Sequence, residues 1–193
     1  MAYPLEAKLL TLNPFSRPGK KLSGVKGVVI HWIGNPGTSA LQNRNYFEGL
    51  KAQSLNNPGA VFASAHFIAG LRGEVIQCIP LGEAAYHVGA KQYTPEAISR
   101  FGHYPNNGTI GIELCHPVWD GKFTPETWAS AVELAAALLK RFNLRPADIW
   151  THHGITRKDC PKYFVEHPEA FGQFRLDVES AMKKSQGVPE WTY

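Results

Sequence analysis

The segment 151–161, Thr-His-His-Gly-Ile-Thr-Arg-Lys-Asp-Cys-Pro, concentrates two histidines, a lysine and a cysteine in one turn-rich stretch. Neutral imidazole and thiolate are ligands that tetrahedral Zn²⁺ prefers, and a catalytic zinc takes three protein ligands and keeps its fourth position for water. The segment resembles one part of a zinc site. It constrains the fold because it must lie beside a third ligand from elsewhere in the chain.

The best third ligand upstream is His31, which ends the apolar run Gly27-Val28-Val29-Ile30. An apolar run rich in β-branched residues predicts a buried strand, and a strand end holds its side chain rigidly. Cys160 follows His152 by eight positions, which is too far for one helical face but within reach of a folded loop. The sequence therefore predicts that a strand end meets this loop.

Size and composition predict one globular domain with a true core, since 193 residues contain 44% hydrophobic and 19% charged residues. The net charge of +4 favours anionic partners. Nucleic-acid binders concentrate their basic residues, whereas here the basic pairs are scattered, so we expect no nucleic-acid partner. An anionic polymer such as a bacterial cell wall suits this charge.

Cys78, Cys115 and Cys160 form an odd set, which argues against a disulfide framework. The N-terminus lacks the pattern of a secretory signal, and no run approaches the length of a membrane span. We therefore expect a protein that is made in the cytoplasm without a signal peptide and does not insert into membranes. We also expect it to be a monomer and to act on the wall after release.

The pattern of elements predicts an α/β fold with a mixed central β-sheet flanked by helices. Strands are predicted at 26–32, 62–69, 73–79, 109–115 and 147–152, and the second and third form a hairpin. Helices are predicted over 40–51, capped by Thr38 or Ser39, from Thr124 onward, and from about residue 168. We expect residues 1–24 to form an arm packed on the domain without a regular element, residues 25–183 the catalytic domain, and residues 184–193 a tail or linker start.

Five short blocks carry a resemblance to a known family. They are Val-Ile-His at 29–31, Ser-Ala-His-Phe at 64–67, Tyr-His-Val-Gly at 86–89, Gly-Ile-Glu-Leu at 111–114 and His-x₇-Cys-Pro at 152–161. Their order is similar to that of the zinc-dependent N-acetylmuramoyl-L-alanine amidases of type 2, which are related to peptidoglycan recognition proteins. The resemblance spans roughly residues 24–180 and is closest to the catalytic domains of phage endolysins.

The resemblance implies one zinc ion held by His31, His152 and Cys160, with Glu113 and Lys158 as the acid–base and electrostatic pair. The implied reaction is hydrolysis of the amide between N-acetylmuramic acid and L-alanine of bacterial peptidoglycan, with a lytic outcome. Some phage members carry a tyrosine before the histidine of the second block, where this chain has Ala65. The proton-transfer role is therefore expected at Glu113.

Other roles are expected for the remaining histidines and for a tryptophan. His87 is expected to contact substrate, while His66 and Trp32 are candidates for substrate contact or for the core. His153 is expected to point away from the metal and to orient its loop. We expect His103, His116 and His167 on the surface.

Two other functions fit parts of the pattern. Relatives of this fold bind peptidoglycan without catalysis after losing metal ligands, although all three candidate ligands are present here. Cys160 could instead be a thiol nucleophile with His152 as its base. That alternative explains neither His31 nor Glu113.

Overall fold

A mixed six-stranded sheet forms the centre of the protein, whose computed structural model describes residues 4–184. The strands are β1 (Leu5–Ala7), β2 (Gly27–Trp32), β3 (Phe67–Ala69), β4 (Val75–Gln77), β5 (Thr109–Leu114) and β6 (Ile149–Thr151). Their order across the sheet is β1-β4-β3-β5-β2-β6. β3 and β4 are antiparallel and the other neighbours are parallel. The predicted α/β class and the 62–79 hairpin are therefore confirmed, although the hairpin strands are short.

Six α-helices surround the sheet in the described part of the chain. They are α1 (Ala40–Gly49), α2 (Pro95–Phe101), α3 (Pro125–Arg141), α4 (His152–Thr156), α5 (Lys162–Glu166) and α6 (Pro168–Lys184). Short 3₁₀ turns occupy Leu50–Ala52, Pro105–Asn107 and Pro146–Asp148. Ser39 caps α1 in a capping box with Gln42, and Thr124 caps α3. The three predicted helices are confirmed.

The two faces of the sheet bury different sets of side chains. On one face, Val28 and Ile30 of β2 and Ile112 of β5 pack into a core that includes residues of α3 and α6. On the other face, the core contains Ile68 of β3 and Phe47 of α1. Because side chains alternate along a strand, the residues of β2 and β5 that alternate with Val28, Ile30 and Ile112 face the α1 side. The candidate site lies on that side.

The N-terminal segment takes part in the sheet. β1 pairs in parallel with β4 and forms an edge strand, so the prediction that residues 1–24 lack a regular element was wrong. The run Leu5–Ala7 has only three residues, too few for its pattern to indicate a strand, and the backbone ladder with β4 identifies it as one. Further along, Leu10 and Phe15 are buried in the α1 core. The limits set at residues 24 and 184 remain predictions, and residues 185–193 lie outside the described range.

Three other details differ from the sequence prediction. Residues 62–66 precede β3 without joining it, and helix α2 was not predicted. Thr94 caps α2 and Pro95 opens it, which are start signals that the sequence does contain. Segment 152–156, which was predicted to belong to a folded loop, forms the short helix α4. In the range 4–184, helices are too short or too polar to cross a bilayer.

Candidate active site

His31 and Glu113 are placed side by side by the pairing of the two central strands. In the parallel register of β2 and β5, His31 lies opposite Glu113. Both residues alternate with core residues of the α3 side, so their side chains emerge on the α1 side. His31 is 1% exposed. The sheet thus provides a rigid base for one candidate ligand and one candidate proton carrier.

The segment after β6 folds back on itself and brings Cys160 to His152. Thr151 caps α4 by accepting a hydrogen bond from Gly154 N–H, and Arg157 ends the helix in the left-handed conformation with φ of 66°. His153 N–H then donates to Cys160 O at 2.8 Å, which closes the turn. This reversal explains how residues eight positions apart share one site.

His153 stabilises the same turn from its side chain. Its Nδ1 lies 3.0 Å from the backbone oxygen of Lys158 and donates to it. The hydrogen bond to its own loop that was predicted for His153 is therefore present. Of the two adjacent histidines, only His152 presents its Nδ1 to His31.

Three donor atoms converge at this point. His31 Nδ1 lies 3.1 Å from His152 Nδ1 and 3.8 Å from Cys160 Sγ, and the three atoms lie within 4.8 Å of one another. Tetrahedral zinc separates two nitrogen ligands by about 3.3 Å and a nitrogen from a sulfur by about 3.6 Å, given its usual bond lengths. Two imidazoles and one thiolate in this arrangement fit a zinc ion with one position left for water.

The electrostatics of the three groups suit a cation. Burial, followed by the charge of Lys158, lowers the pKa of His152 to about 4. Burial is also the main cause that holds the pKa of His31 well below its ordinary value. Both rings are therefore neutral and able to bind a metal at neutral pH. Burial raises the pKa of the Cys160 thiol, so a thiolate there needs a bound cation to stabilise it.

The same facts argue against a thiol nucleophile. Cys160 is 3% exposed, burial raises the pKa of its thiol, and its Sγ lies 3.8 Å from Nδ1 of His31. A reactive cysteine needs an accessible thiolate and a lowered pKa. The arrangement is that of a ligand.

An open cleft of about 480 Å³ leads to the three donor atoms. Glu113 and Lys158 line it, together with Trp32 and His87. Of the described residues that line the cleft, Lys158 is the only lysine or arginine. After burial, its charge is the next influence on the pKa of Glu113 and of His152, which places the ammonium group near both. The four predicted residues thus share one cleft with the candidate ligands.

Glu113 has the features of a proton carrier. Its Oε2 is buried and has no hydrogen-bond partner among residues 4–184. Burial raises the pKa of this carboxyl group to about 8, although Lys158 acts in the opposite direction. A buried carboxylate without a partner is costly, so its presence in a cleft indicates a function. A carboxyl group with a pKa near neutrality can both accept and return a proton.

The structure changes the predicted role of His66 and shows contacts of His87 within the protein. His66 is 0% exposed and lies outside the cleft, its Nε2 donates to Glu83 O at 2.9 Å, and its Nδ1 accepts from Gly111 N–H at 3.0 Å. It is a satisfied core histidine, and the predicted substrate contact is corrected. His87 does line the cleft, but both its ring nitrogens contact the protein: His31 Nε2 at 2.9 Å and Thr109 Oγ1 at 3.1 Å. No pattern in the sequence predicts the contact between His87 and His31.

Trp32 has a second partner that the sequence did not indicate. Its ring stacks on His116 with centroids 4.6 Å apart while another part of it lines the cleft. His116 is 0% exposed and contacts the backbone oxygens of Ile33 and Val118, so its predicted surface position was wrong. Trp32 both packs against the core and walls the cleft.

Fold and site together define a mixed α/β domain with a buried His₂Cys donor set at the end of its central strand. The chain belongs to the N-acetylmuramoyl-L-alanine amidase family, whose family model matches residues 21–163. The family predicted from the five blocks is thereby confirmed.

Curated relatives agree with this assignment. The chain is 36% identical over 171 residues to a probable N-acetylmuramoyl-L-alanine amidase of Bacillus licheniformis, a match that covers 89% of this chain and 46% of the relative. It is 33% identical over 180 residues to the N-acetylmuramoyl-L-alanine amidase BlyA of Bacillus subtilis, with 90% and 46% covered. The chain thus spans about half the length of these relatives.

Solved structures share the fold. The catalytic domain of XlyA superposes with a TM-score of 0.67 at 23% identity and covers 90% of this chain and 98% of that domain. A mutant endolysin from Bacillus subtilis gives a TM-score of 0.69 at 24% identity, with 91% and 99% covered. The described architecture is therefore the fold of these two structures, which confirms the predicted fold class.

Proposed function

We propose that this chain is a zinc-dependent hydrolase that cleaves the amide between N-acetylmuramic acid and L-alanine in bacterial peptidoglycan. The observation that carries the proposal is the convergence of His31, His152 and Cys160 in one open cleft beside Glu113, whose Oε2 is buried and has no partner among residues 4–184. Membership of the amidase family indicates which bond is cleaved and that peptidoglycan is the substrate. We include in this proposal that the chain acts as a monomer on the wall after release, without nucleic-acid or membrane partners.

His31 Nδ1, His152 Nδ1 and Cys160 Sγ would hold the ion. When bound, zinc supplies Lewis-acid chemistry, since it polarises an amide carbonyl and lowers the pKa of water. The ligands lie on β2 and on the closed turn after β6, so little reorganisation is needed for binding.

Glu113 moves the proton in this reaction. As a carboxylate it accepts a proton from the attacking water, and as an acid it returns that proton to the departing amine of L-alanine. The charge of Lys158 favours the ionised form and opposes part of the rise in pKa that burial causes. The same group thus serves both halves of the reaction.

Lys158 stabilises the negative charge that develops on the amide oxygen. It lies in the turn closed by His153 N–H and Cys160 O, so its backbone position is fixed relative to the ligands. An ammonium group already in place beside the reacting carbonyl needs no reorganisation during the reaction. Trp32 forms an apolar wall of the same cleft.

Mass spectrometry of fragments released from purified cell walls tests this function. The proposal predicts new free amino termini on L-alanine and no new reducing sugar ends. The Glu113→Gln variant, assayed at the same concentration, should release neither. New reducing ends from the parent protein would contradict the proposal, and binding to walls without any cleavage would favour the non-catalytic binding module instead.

A further inference from the structure

We propose that His87 is a positioning residue that fixes His31 in the tautomer whose Nδ1 is free to bind the metal. The structure places His87 between His31 and Thr109 in a chain of hydrogen bonds that ends on a backbone oxygen. This inference rests on the proposed zinc site and goes beyond it, because it assigns a role to a residue that is neither ligand nor proton carrier.

The direction of the chain is set at its far end. Thr109 Oγ1 donates its hydroxyl proton to Pro105 O at 2.8 Å. Because that hydroxyl has one proton, it can only accept from His87 Nε2, which lies 3.1 Å away. His87 therefore carries its proton on Nε2. The other nitrogen of the ring, Nδ1, is left with a lone pair.

That lone pair determines the state of His31. His87 Nδ1 lies 2.9 Å from His31 Nε2, so His31 must donate from Nε2. Both rings are buried, which favours the neutral form with one proton each. The proton of His31 is thus placed on Nε2. Its Nδ1 is left free and faces His152 Nδ1 and Cys160 Sγ.

The opposite direction would exclude a metal. If His87 donated from Nδ1, His31 would carry its proton on Nδ1, at the point where the three donor atoms meet. Thr109 would also have to turn its hydroxyl away from Pro105 O and leave that buried contact. Metal-bound histidines commonly have their second nitrogen held in this way by a neighbouring acceptor. Here the acceptor is another imidazole.

Two features hold His87 in place without involving the substrate. The backbone N–H groups of His87 and Val88 donate to Asn106 Oδ1 at 3.1 and 2.9 Å. The ring lies against Gly111 of β5, where an added Cβ would come within 2.6 Å of ring atoms. A larger residue at 111 would therefore displace the ring. Gly111 in β5 is explained by this contact.

The test measures zinc affinity and the tautomer of His31 without using turnover. Zinc affinity is obtained by competition with a chelator, and the tautomer by ¹H–¹⁵N correlation spectra of the imidazoles in metal-free protein. In the parent, His31 should show the Nε2–H form alone. His87→Ala should weaken zinc binding by about 10-fold to 100-fold and give His31 a mixture of tautomers.

Further variants separate positioning from general destabilisation. His87→Asn puts an amide oxygen near the place of Nδ1 and should restore most of the zinc affinity and the single tautomer. Thr109→Val keeps the shape of the side chain but removes the hydroxyl, so it should give the mixture while the fold is retained. The matched control His103→Asn removes an exposed histidine and should change neither measurement.

Each result decides the proposal. Parent-like zinc affinity together with an unchanged His31 tautomer in His87→Ala would overturn it, as would the same result in Thr109→Val if the alanine variant does not fold. Tight zinc binding by a parent that fails to cleave walls would refute the proposed function and leave the role of His87 standing. A parent that binds no zinc would refute the function too. The tautomer of His31 in metal-free protein would still show whether His87 sets it.

Discussion

At the scale of single residues, the site depends on ionisable groups in buried surroundings, which the sequence reveals unequally. Glu113 was identifiable from the sequence because an ionisable residue between Ile112 and Leu114 must face solvent or serve a purpose. His87 belongs to the block at 86–89 and was predicted to contact substrate, whereas its bond to His31 was not predicted. Its contact with His31 joins residues 56 positions apart, and no local pattern encodes that distance.

Replacing Glu113 by glutamine should separate chemistry from metal binding. The amide keeps the shape but cannot accept a proton, so kcat should fall by about 10²-fold to 10⁴-fold while zinc content stays at one ion per chain. Kinetics on a muropeptide substrate with parallel metal analysis check this. Glu126→Gln, an exposed change at the start of α3, should retain parent activity. Undiminished kcat in Glu113→Gln would remove this residue from the mechanism.

Cys160→Ser tests the ligand assignment. A serine hydroxyl is a poor zinc ligand at neutral pH, so affinity should fall by at least about 100-fold and lysis should be lost at ordinary zinc concentrations. Equilibrium zinc binding and clearing of wall suspensions give the two readouts. A matched change at another buried cysteine, Cys78→Ser, should leave zinc binding intact. Retention of both zinc and lysis by Cys160→Ser would show that the ligand set is wrong.

At the scale of elements, caps and apolar stripes predicted the long helices correctly, whereas several short elements were not predicted. Thr124 and Pro125 mark the start of α3 clearly. β1 and β6 have three residues each, and their identity depends on partners in the sheet rather than on their own sequence. The fold of the 151–160 turn likewise depends on the left-handed conformation of Arg157, which the sequence does not predict.

The link between the N-terminal segment and α1 should make stability depend on pH. Glu48 Oε1 and Oε2 accept hydrogen bonds from Thr11 and Lys51 and pair with Arg44. Burial acts to raise the pKa of Glu48, but these contacts outweigh it and lower the value to about 2. A lowered carboxyl pKa gives stability that is present above the unfolded value of about 4.5 and is lost as the pH falls toward 2.

Glu48→Gln should therefore be less stable than the parent at pH 7, by about 1–2 kcal/mol. The difference should shrink below pH 4.5 and vanish near pH 2, as Glu48 becomes protonated in the parent. Urea unfolding at a series of pH values measures it. A difference that stays constant from pH 7 to pH 2 would show that the charge of Glu48 is not its cause.

At the scale of the whole molecule, one face of the sheet is devoted to packing and the other to the site. The α3 and α6 side is an apolar core, and the opposite side carries His31, Gly111 and Glu113 at alternate positions of β2 and β5. The sequence predicted this class of fold and the ligand set through ordered motifs. It could not predict the side-by-side placement of His31 and Glu113, because that depends on the register between strands about 80 residues apart.

The most direct test of the central claim is zinc titration of metal-free protein, followed by release of L-alanine amino termini from purified walls. The three donor atoms form one site, so activity should be absent without metal, rise in proportion to added zinc and reach its plateau at one ion per chain. Full activity in protein shown by metal analysis to contain no zinc would contradict the account.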